Sequence, residues 1–347
     1  MLAGAVASTF LLQGCTSIVK NSLAGFYQSD DGKFVSMYGA RYAKTFDEGY
    51  YVNTRDFFNR DDAYSLEPVC VFFPGWGCDA DQAWASDGKD DQLLGMLNTY
   101  YQGRVWVINS PTNTSAQNIC SNVEHVLNET LDRIREHRPD TKIPEIDAIS
   151  HSYGSVPLRY YLQEHPEDIT CASFIAAPFD GISFELEGII KFLYPYIMTD
   201  LLQNNGKQVN NDNLQSGYDI EHGSNFLTVF NRTKPYKKVP YIVNIYGIET
   251  EHDRWIIPGK DDRLVPLSSA IPIDLLQKGA MGYPFYGDCE VFITKEDHYS
   301  CLKNKEIVED IATTLRYGPK HVSIYPPTWN TVVYTKIQGT PSVGNGL

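Results

Sequence analysis

Residues 146–158 read IDAISHSYGSVPL, an apolar run that stops at Ser150 and gives way at Gly154 to a helix-spaced segment. Ser152 stands at the break, with small residues, Ser150 and Gly154, two positions away on either side. A hydroxyl is a poor nucleophile unless it is exposed in a sharp turn and a neighbouring base takes its proton. The S-x-S-x-G pattern meets the first need, because bulky side chains at the flanking positions would strike the adjoining strand and helix. The second need directs attention downstream. Residues 249–262 hold Glu249, Glu251, Asp253, Asp261 and Asp262, and His298 follows an apolar run at 290–294. In such a set Ser152 attacks an acyl carbonyl and His298 carries its proton to the leaving group. A carboxylate fixes the imidazole tautomer and balances its charge.

The acid is the most open member of the set. Asp262 stands four residues before Pro266, Asp253 comes sooner after the strand at 241–246, and Glu249, Glu251 and Asp261 share the same loop. Of the other histidines, His151 adjoins Ser152 and is expected to point away from it and pack. His125, His137 and His165 fall on helices or their ends. His222, His252 and His321 stay open, yet only His298 follows a strand and precedes a helix downstream of the acid loop.

These side chains need a frame. Short apolar runs at Val69–Phe73, Val105–Asn109, 143–149, 171–177, 241–246 and 290–294 are bounded by turn-forming residues, as central strands of a parallel sheet are. Between them, Ile119, Val123, Val126, Leu127, Leu131 and Ile134 recur at three and four, predicting one helix over 115–137. Leu93, Leu94 and Leu97 mark a helix before Gly103; Val156, Leu158 and Leu162 mark one after the serine; Ile307, Ile311 and Leu315 mark a last one. Alternation of this kind predicts an α/β class fold with right-handed crossovers. Residues 16–66 read as a linker and an irregular or β-type extension, 67–318 as one domain, and 319–347 as a Tyr- and Pro-containing tail. Residues 179–238 interrupt the alternation, and Ile189, Phe192 and Leu193 give that insertion an apolar helical patch, expected to cap an apolar substrate pocket.

Four stretches in this order resemble the α/β-hydrolase superfamily, in its lipase- and esterase-like branch. VCVFFPGWG (69–77) resembles the strand and oxyanion loop, IDAISHSYGS (146–155) the nucleophile elbow, DDRLVPLSSA (261–270) the acid loop, and DHYSCL (297–302) the histidine loop. HGSNFLTVFN (222–231) is similar to a stretch preceding the acid strand in lipase-like members. The resemblance implies a mostly parallel sheet flanked by helices, a Ser152–Asp262–His298 triad, and backbone N–H groups of Tyr153 and of Trp76 or Gly77 as the oxyanion hole. It implies no cofactor and no metal. The expected reaction is hydrolysis of an acyl ester through an acyl-enzyme. An amidase, peptidase or thioesterase with the same triad, or a catalytically silent binding module, are the alternatives.

The N-terminus points to export. Residues 2–12 are apolar but too short to span a bilayer, and Leu12-Gln13-Gly14-Cys15 resembles the bacterial lipoprotein processing box, which implies acylation of Cys15 and membrane contact through that lipid. An ordinary cleaved secretory signal is the alternative. Setting Cys15 aside leaves six of the seven cysteines, an even number suited to disulfides; Cys289–Cys301 is the expected bridge, with buried thiols the alternative for Cys70 and Cys171. Three N-x-S/T sequons begin at Asn113, Asn128 and Asn231. A net charge of −14 argues against nucleic acid as a partner, since phosphate binding needs clustered Lys and Arg. With 42% apolar residues among 347, the chain has material for a large core.

Overall fold

The computed structural model describes residues 50–55, 57–76, 78, 80, 83, 93–112, 114–137, 143–182, 211–232, 242–248, 261–262, 264–271, 288–298, 300–305, 308–309, 312 and 337–338. Among the described residues, eight strands form one sheet: β1 (Tyr51–Asn53), β2 (Val69–Phe73), β3 (Val105–Asn109), β4 (Ile146–His151), β5 (Ile169–Ile175), β6 (Ile242–Ile248), β7 (Asp288–Thr294) and β8 (Ile337–Gln338). Their spatial order is β1-β3-β2-β4-β5-β6-β7-β8. Strands β3 through β7 run parallel, while β1 and β8 pair antiparallel with β3 and β7 at the two sides. The six central strands lie where the apolar runs predicted them, with ends shifted by up to three residues. The two outermost strands come from the segments read as extension and tail.

Helices between the early strands include α1 (Leu93–Tyr100), α2 (Ala116–His137) and α3 (Ser155–Glu164). Every residue of the predicted stripe on α2, from Ile119 to Ile134, is buried. That face packs against α3 and β1. From β2 the chain steps outward to β3, then crosses back over β2 to reach β4. With right-handed crossovers, the connections carrying α1 and α2 therefore fall on opposite faces of the sheet. The reversal also makes the loops after β2 and β4 diverge at the carboxyl ends of the strands, which leaves a crevice there.

The core is continuous from the extension into the sheet. Phe57 stands edge-on to Trp106 at 5.1 Å between ring centres, and both are buried. Buried Arg104 ties the approach to β2 in place: its guanidinium donates to the carbonyls of Pro68, Asp62 and Glu67 at 3.2, 3.0 and 2.6 Å. Such pairing satisfies a buried charge that would otherwise be costly.

Shorter helices that follow include α4 (Asn211–Asp219) and α5 (Asn225–Phe230) in the second half of the insertion, and α6 (Leu267–Ala270) after the acid loop. The insertion is pinched at its base, where Ile182 N–H donates to Ile220 O at 2.9 Å and His222 N–H to Ile182 O at 3.0 Å. Gly181 makes this approach possible; with φ +86°, a Cβ there would lie 2.7 Å from Ile220 O. Among the described residues no helix is long and apolar enough to cross a membrane.

The expected Cys289–Cys301 bridge does not form, and Cys301 is a free, buried thiol. The reason is position. Cys289 lies near the start of β7, whereas Cys301 lies beyond its carboxyl end, in a 3-10 turn (Ser300–Leu302). The five strand steps from Cys289 to Thr294 alone span about 16 Å, against a Cα separation under about 7 Å for a disulfide. Cys70 and Cys120 are likewise free and buried. Two sequon asparagines are occupied by the fold: Asn128 accepts from the Tyr161 hydroxyl at 3.0 Å, and Asn231 accepts from Arg159 at 2.6 Å while donating to Phe179 O at 3.2 Å.

Candidate active site

Strand β4 holds extended backbone to its last residue, His151 (φ −123°, ψ 135°), and Ser152 then turns into the left-handed region at φ +52°. For a residue with a side chain that geometry costs about 1–2 kcal/mol. Non-glycine strain of this kind collects where a site needs a side chain aimed in one direction. A single 3-10 turn, Ser152–Gly154, leads straight into α3. The flanking small residues have different reasons. Gly154 has an ordinary φ of −56°, so it is there for space: a Cβ would stand 2.1 Å from Phe73 O and 2.5 Å from Pro74 O. Ser150 is fully buried but tolerated, because its hydroxyl lies 3.0 Å from Ser155 Oγ and donates to Ser173 O at 3.3 Å.

The elbow is the loop after β4; the loop after β2 lies beside it at Gly75, and the histidine loop from β7 meets it where His298 O contacts His151. His298 Nδ1 lies 2.6 Å from Asp262 Oδ2, both side chains being buried. The other carboxylate oxygen, Oδ1, accepts from Leu264 N–H at 2.9 Å and Val265 N–H at 2.6 Å, and Asp262 N–H donates to Val265 O at 3.2 Å. An Asx turn therefore aims the carboxylate with no freedom left to its side chain. His298 N–H closes the pair by donating to Asp262 O at 2.9 Å. With Nδ1–H given to the carboxylate, Nε2 is the atom left to exchange a proton.

His151 was expected to pack, and it does more. Its Nε2 is 2.7 Å from His298 O, and the two imidazole rings are 4.7 Å apart. A carbonyl only accepts, so His151 carries its proton on Nε2. Burial, reinforced by the neighbouring His298 ring, holds its pKa well below the ordinary histidine value, so the ring is neutral. Gly75 closes the other side: a Cβ there would lie 3.3 Å from His151 Nδ1 and 3.4 Å from Ser152 Cβ. Three loops thus meet on one ring, the loop after β2 through Gly75, the elbow, and the histidine loop.

Trp76 lies in the loop after β2, and its indole N–H donates to Ser216 Oγ on α4 at 2.9 Å. Ser216 Oγ in turn donates to Thr112 O at 3.3 Å. Tyr153, the residue after the serine, is buried beside the same hydroxyl; burial raises its phenol pKa well above the usual value, and Ser216 opposes the rise. Helix α4 is tied down again where Asp219 Oδ2 accepts from Ala116 N–H, the start of α2, at 2.7 Å. The second half of the insertion is therefore fastened to the loop after β2 and to the body. Nothing in the polar stretch 204–217 announced that role for Ser216.

His298 is held on Asp262, its ring lies 4.7 Å from that of His151, the residue before Ser152, and Trp76 and Tyr153 meet at Ser216. Ile189, Phe192, Leu193, Cys15, Gly77, Glu249, Glu251, Asp253, His252 and His321 lie outside the described residues. His222 sits at the neck of the insertion, bonded through Nδ1 to Asp180 O at 2.8 Å. Among the described residues no group of three or more His, Cys, Asp or Glu could hold a metal ion.

A mostly parallel sheet, the reversal of strand order at β2, a left-handed serine after β4 and a histidine after β7 form one pattern. The fold is that of the α/β-hydrolases. No protein-family profile and no curated protein matches the sequence. Solved structures to which it is similar include the carboxylesterase CesB (YbfK) from Bacillus subtilis, at 12% identity over 88% of this chain and 98% of that one, TM-score 0.46. The Bacillus licheniformis lipase BlEst2 in mature form is similar at 14% identity over 73% and 93%, TM-score 0.43. Aspergillus fumigatus lipase B matches at 15% identity and TM-score 0.36, over 55% of this chain and only 38% of its own length. None of the three TM-scores reaches 0.5, and the fold rests on the chain's own strand order.

Proposed function

We propose that the protein is a serine carboxylester hydrolase. The observation that carries this reading is the buried 2.6 Å contact between His298 Nδ1 and Asp262 Oδ2 on the loop that reaches a left-handed Ser152. In the reaction, Ser152 Oγ forms a bond to the ester carbonyl carbon as His298 Nε2 takes its proton. The imidazolium is stabilised by Asp262 and returns the proton to the departing alkoxide, leaving an acyl-serine; water repeats the steps in reverse. The backbone N–H groups of Tyr153 and Trp76 hold the oxyanion.

The substrate class is an ester with an apolar acyl chain, bound against the insertion's apolar residues Ile189, Phe192 and Leu193. Export and acylation of Cys15 would place the enzyme at a lipid surface, where such esters concentrate. The test is labelling by a fluorophosphonate, followed by hydrolysis of p-nitrophenyl esters of increasing chain length. Labelling of the wild type that is lost in Ser152→Ala supports the reading. A folded wild type that stays unlabelled, with and without mild detergent, overturns it.

A further inference from the structure

In the site described above, the base His298 is tied through Nδ1 to the carboxylate of Asp262. What fixes the backbone of the histidine loop against the elbow is a separate matter, and it affects the distance on which proton transfer depends. A displacement of 1 Å between reacting groups can cost about 100-fold in rate. The loop leaves β7 at Thr294 and has turned into the 3-10 turn Ser300–Leu302 by Cys301, so His298 sits on a short irregular connection. The carbonyl of His298 is the point at which that connection is held from the nucleophile's own strand.

We propose that His151 is a positioning residue for the base: its Nε2–H donates to the carbonyl of His298 and sets the height of the histidine loop above Ser152. The reading rests on the ester-hydrolase function proposed above. The bond is 2.7 Å long, and both residues are buried. Cys301 Sγ supports the same carbonyl from within the loop at 3.5 Å, a weak sulfur contact that cannot replace an imidazole donor. The loop after β2 borders the His151 ring, where a Cβ added at Gly75 would lie 3.3 Å from Nδ1. His151 is joined directly to Ser152 through one peptide, so base and nucleophile share a single rigid anchor. Neutrality matters to this task, because a second cation 4.7 Å from the imidazolium formed during turnover would oppose it.

Two substitutions and one spectrum test the proposal. His151→Gln keeps an N–H donor of similar reach; His151→Leu keeps bulk and removes the donor. The fluorophosphonate labelling rate is expected to fall about 100-fold in His151→Leu and to return to within about tenfold of wild type in His151→Gln. With p-nitrophenyl acetate the loss is expected in kcat, with KM unchanged. A folded His151→Leu labelling at the wild-type rate, or His151→Gln as slow as His151→Leu, overturns the proposal. Should His151→Leu fail to fold, ¹⁵N-edited NMR of the wild type decides: a proton on Nε2 and a bare Nδ1 at neutral pH are required. A proton on Nδ1 refutes the bond. Absence of labelling in the wild type instead overturns the hydrolase reading, so the two failures are told apart.

Discussion

Gly154→Ala isolates the steric demand of the elbow. The glycine has φ −56°, which alanine adopts freely, so no left-handed strain enters the cost of this substitution. What enters is volume. The added Cβ would stand 2.1 Å from Phe73 O, 2.5 Å from Pro74 O and 2.6 Å from Phe73 C, against the 3.0 Å below which Cβ contacts are essentially never found. The worst shortfall is therefore 3.0 − 2.1 = 0.9 Å, and all three atoms are backbone at the carboxyl end of a central strand. Overpacking a core with a flexible neighbour costs about 1–3 kcal/mol. Here no side chain can swing away, and a loss of about 4 kcal/mol or more is expected. At about 2–4 °C per kcal/mol, that lowers Tm by roughly 8–16 °C. Gly223→Ala is the control: nothing lies within 4 Å of its Cβ, and only φ +74° opposes the change, at about 1–2 kcal/mol. Thermal and urea unfolding of both variants give the comparison. If Gly154→Ala costs no more than Gly223→Ala, the account of the elbow is wrong.

Asp262→Asn should cut kcat about 10⁴-fold on p-nitrophenyl acetate while the protein stays folded, because an amide cannot hold the Nδ1–H tautomer and balance its charge; Asp253→Asn should retain near wild-type activity, and the reverse pattern would reassign the acid. Ser216→Ala leaves the buried Trp76 indole N–H without its acceptor and should cost about 1–3 kcal/mol in urea unfolding. His151 is held below its unfolded pKa by burial, so the unfolded chain binds more protons; its stability contribution is complete above pH 6.5 and declines below it, by at most about 1.4 kcal/mol per pH unit. Melting curves between pH 7.5 and 5 should therefore fall less steeply for His151→Gln than for wild type. Non-reducing peptide mapping should find no Cys289–Cys301 linkage, and reductant should leave Tm unchanged.

The central strands were legible because a parallel sheet buried on both faces leaves continuous apolar runs, as at Val69–Phe73 and Val105–Asn109. Helix α2 was legible because one face of a 22-residue helix must be apolar, and its stripe survives intact. Ser152, Asp262 and His298 could be singled out because S-x-S-x-G, an Asp four residues before Pro266 and a histidine between a strand-like run and a helix are short local signatures. Contacts joining residues far apart leave none. The His151–His298 bond spans 147 positions and the Trp76–Ser216 bond 140, and neither residue pair shares a periodic pattern. The cysteine count misled for a related reason. An even number says nothing about distance, and Cys301 lies at the opposite end of β7 from Cys289.

Both outermost strands of the sheet come from outside the alternating core: β1 from the segment before residue 67 and β8 from the segment after residue 318. Trimming the chain to 67–318 would remove β1 and β8 together and leave the backbone amides and carbonyls of β3 and β7 exposed. Unpaired rows of this sort recruit other chains, so the trimmed protein should form intermolecular sheet and lose solubility. Tyr50, Phe57 and Phe58 would go with the N-terminal segment, uncovering Trp106 beside one of those rows. On this expectation, the short antiparallel strands would shield β3 and β7 from self-association, which light scattering of the trimmed and full chains would check.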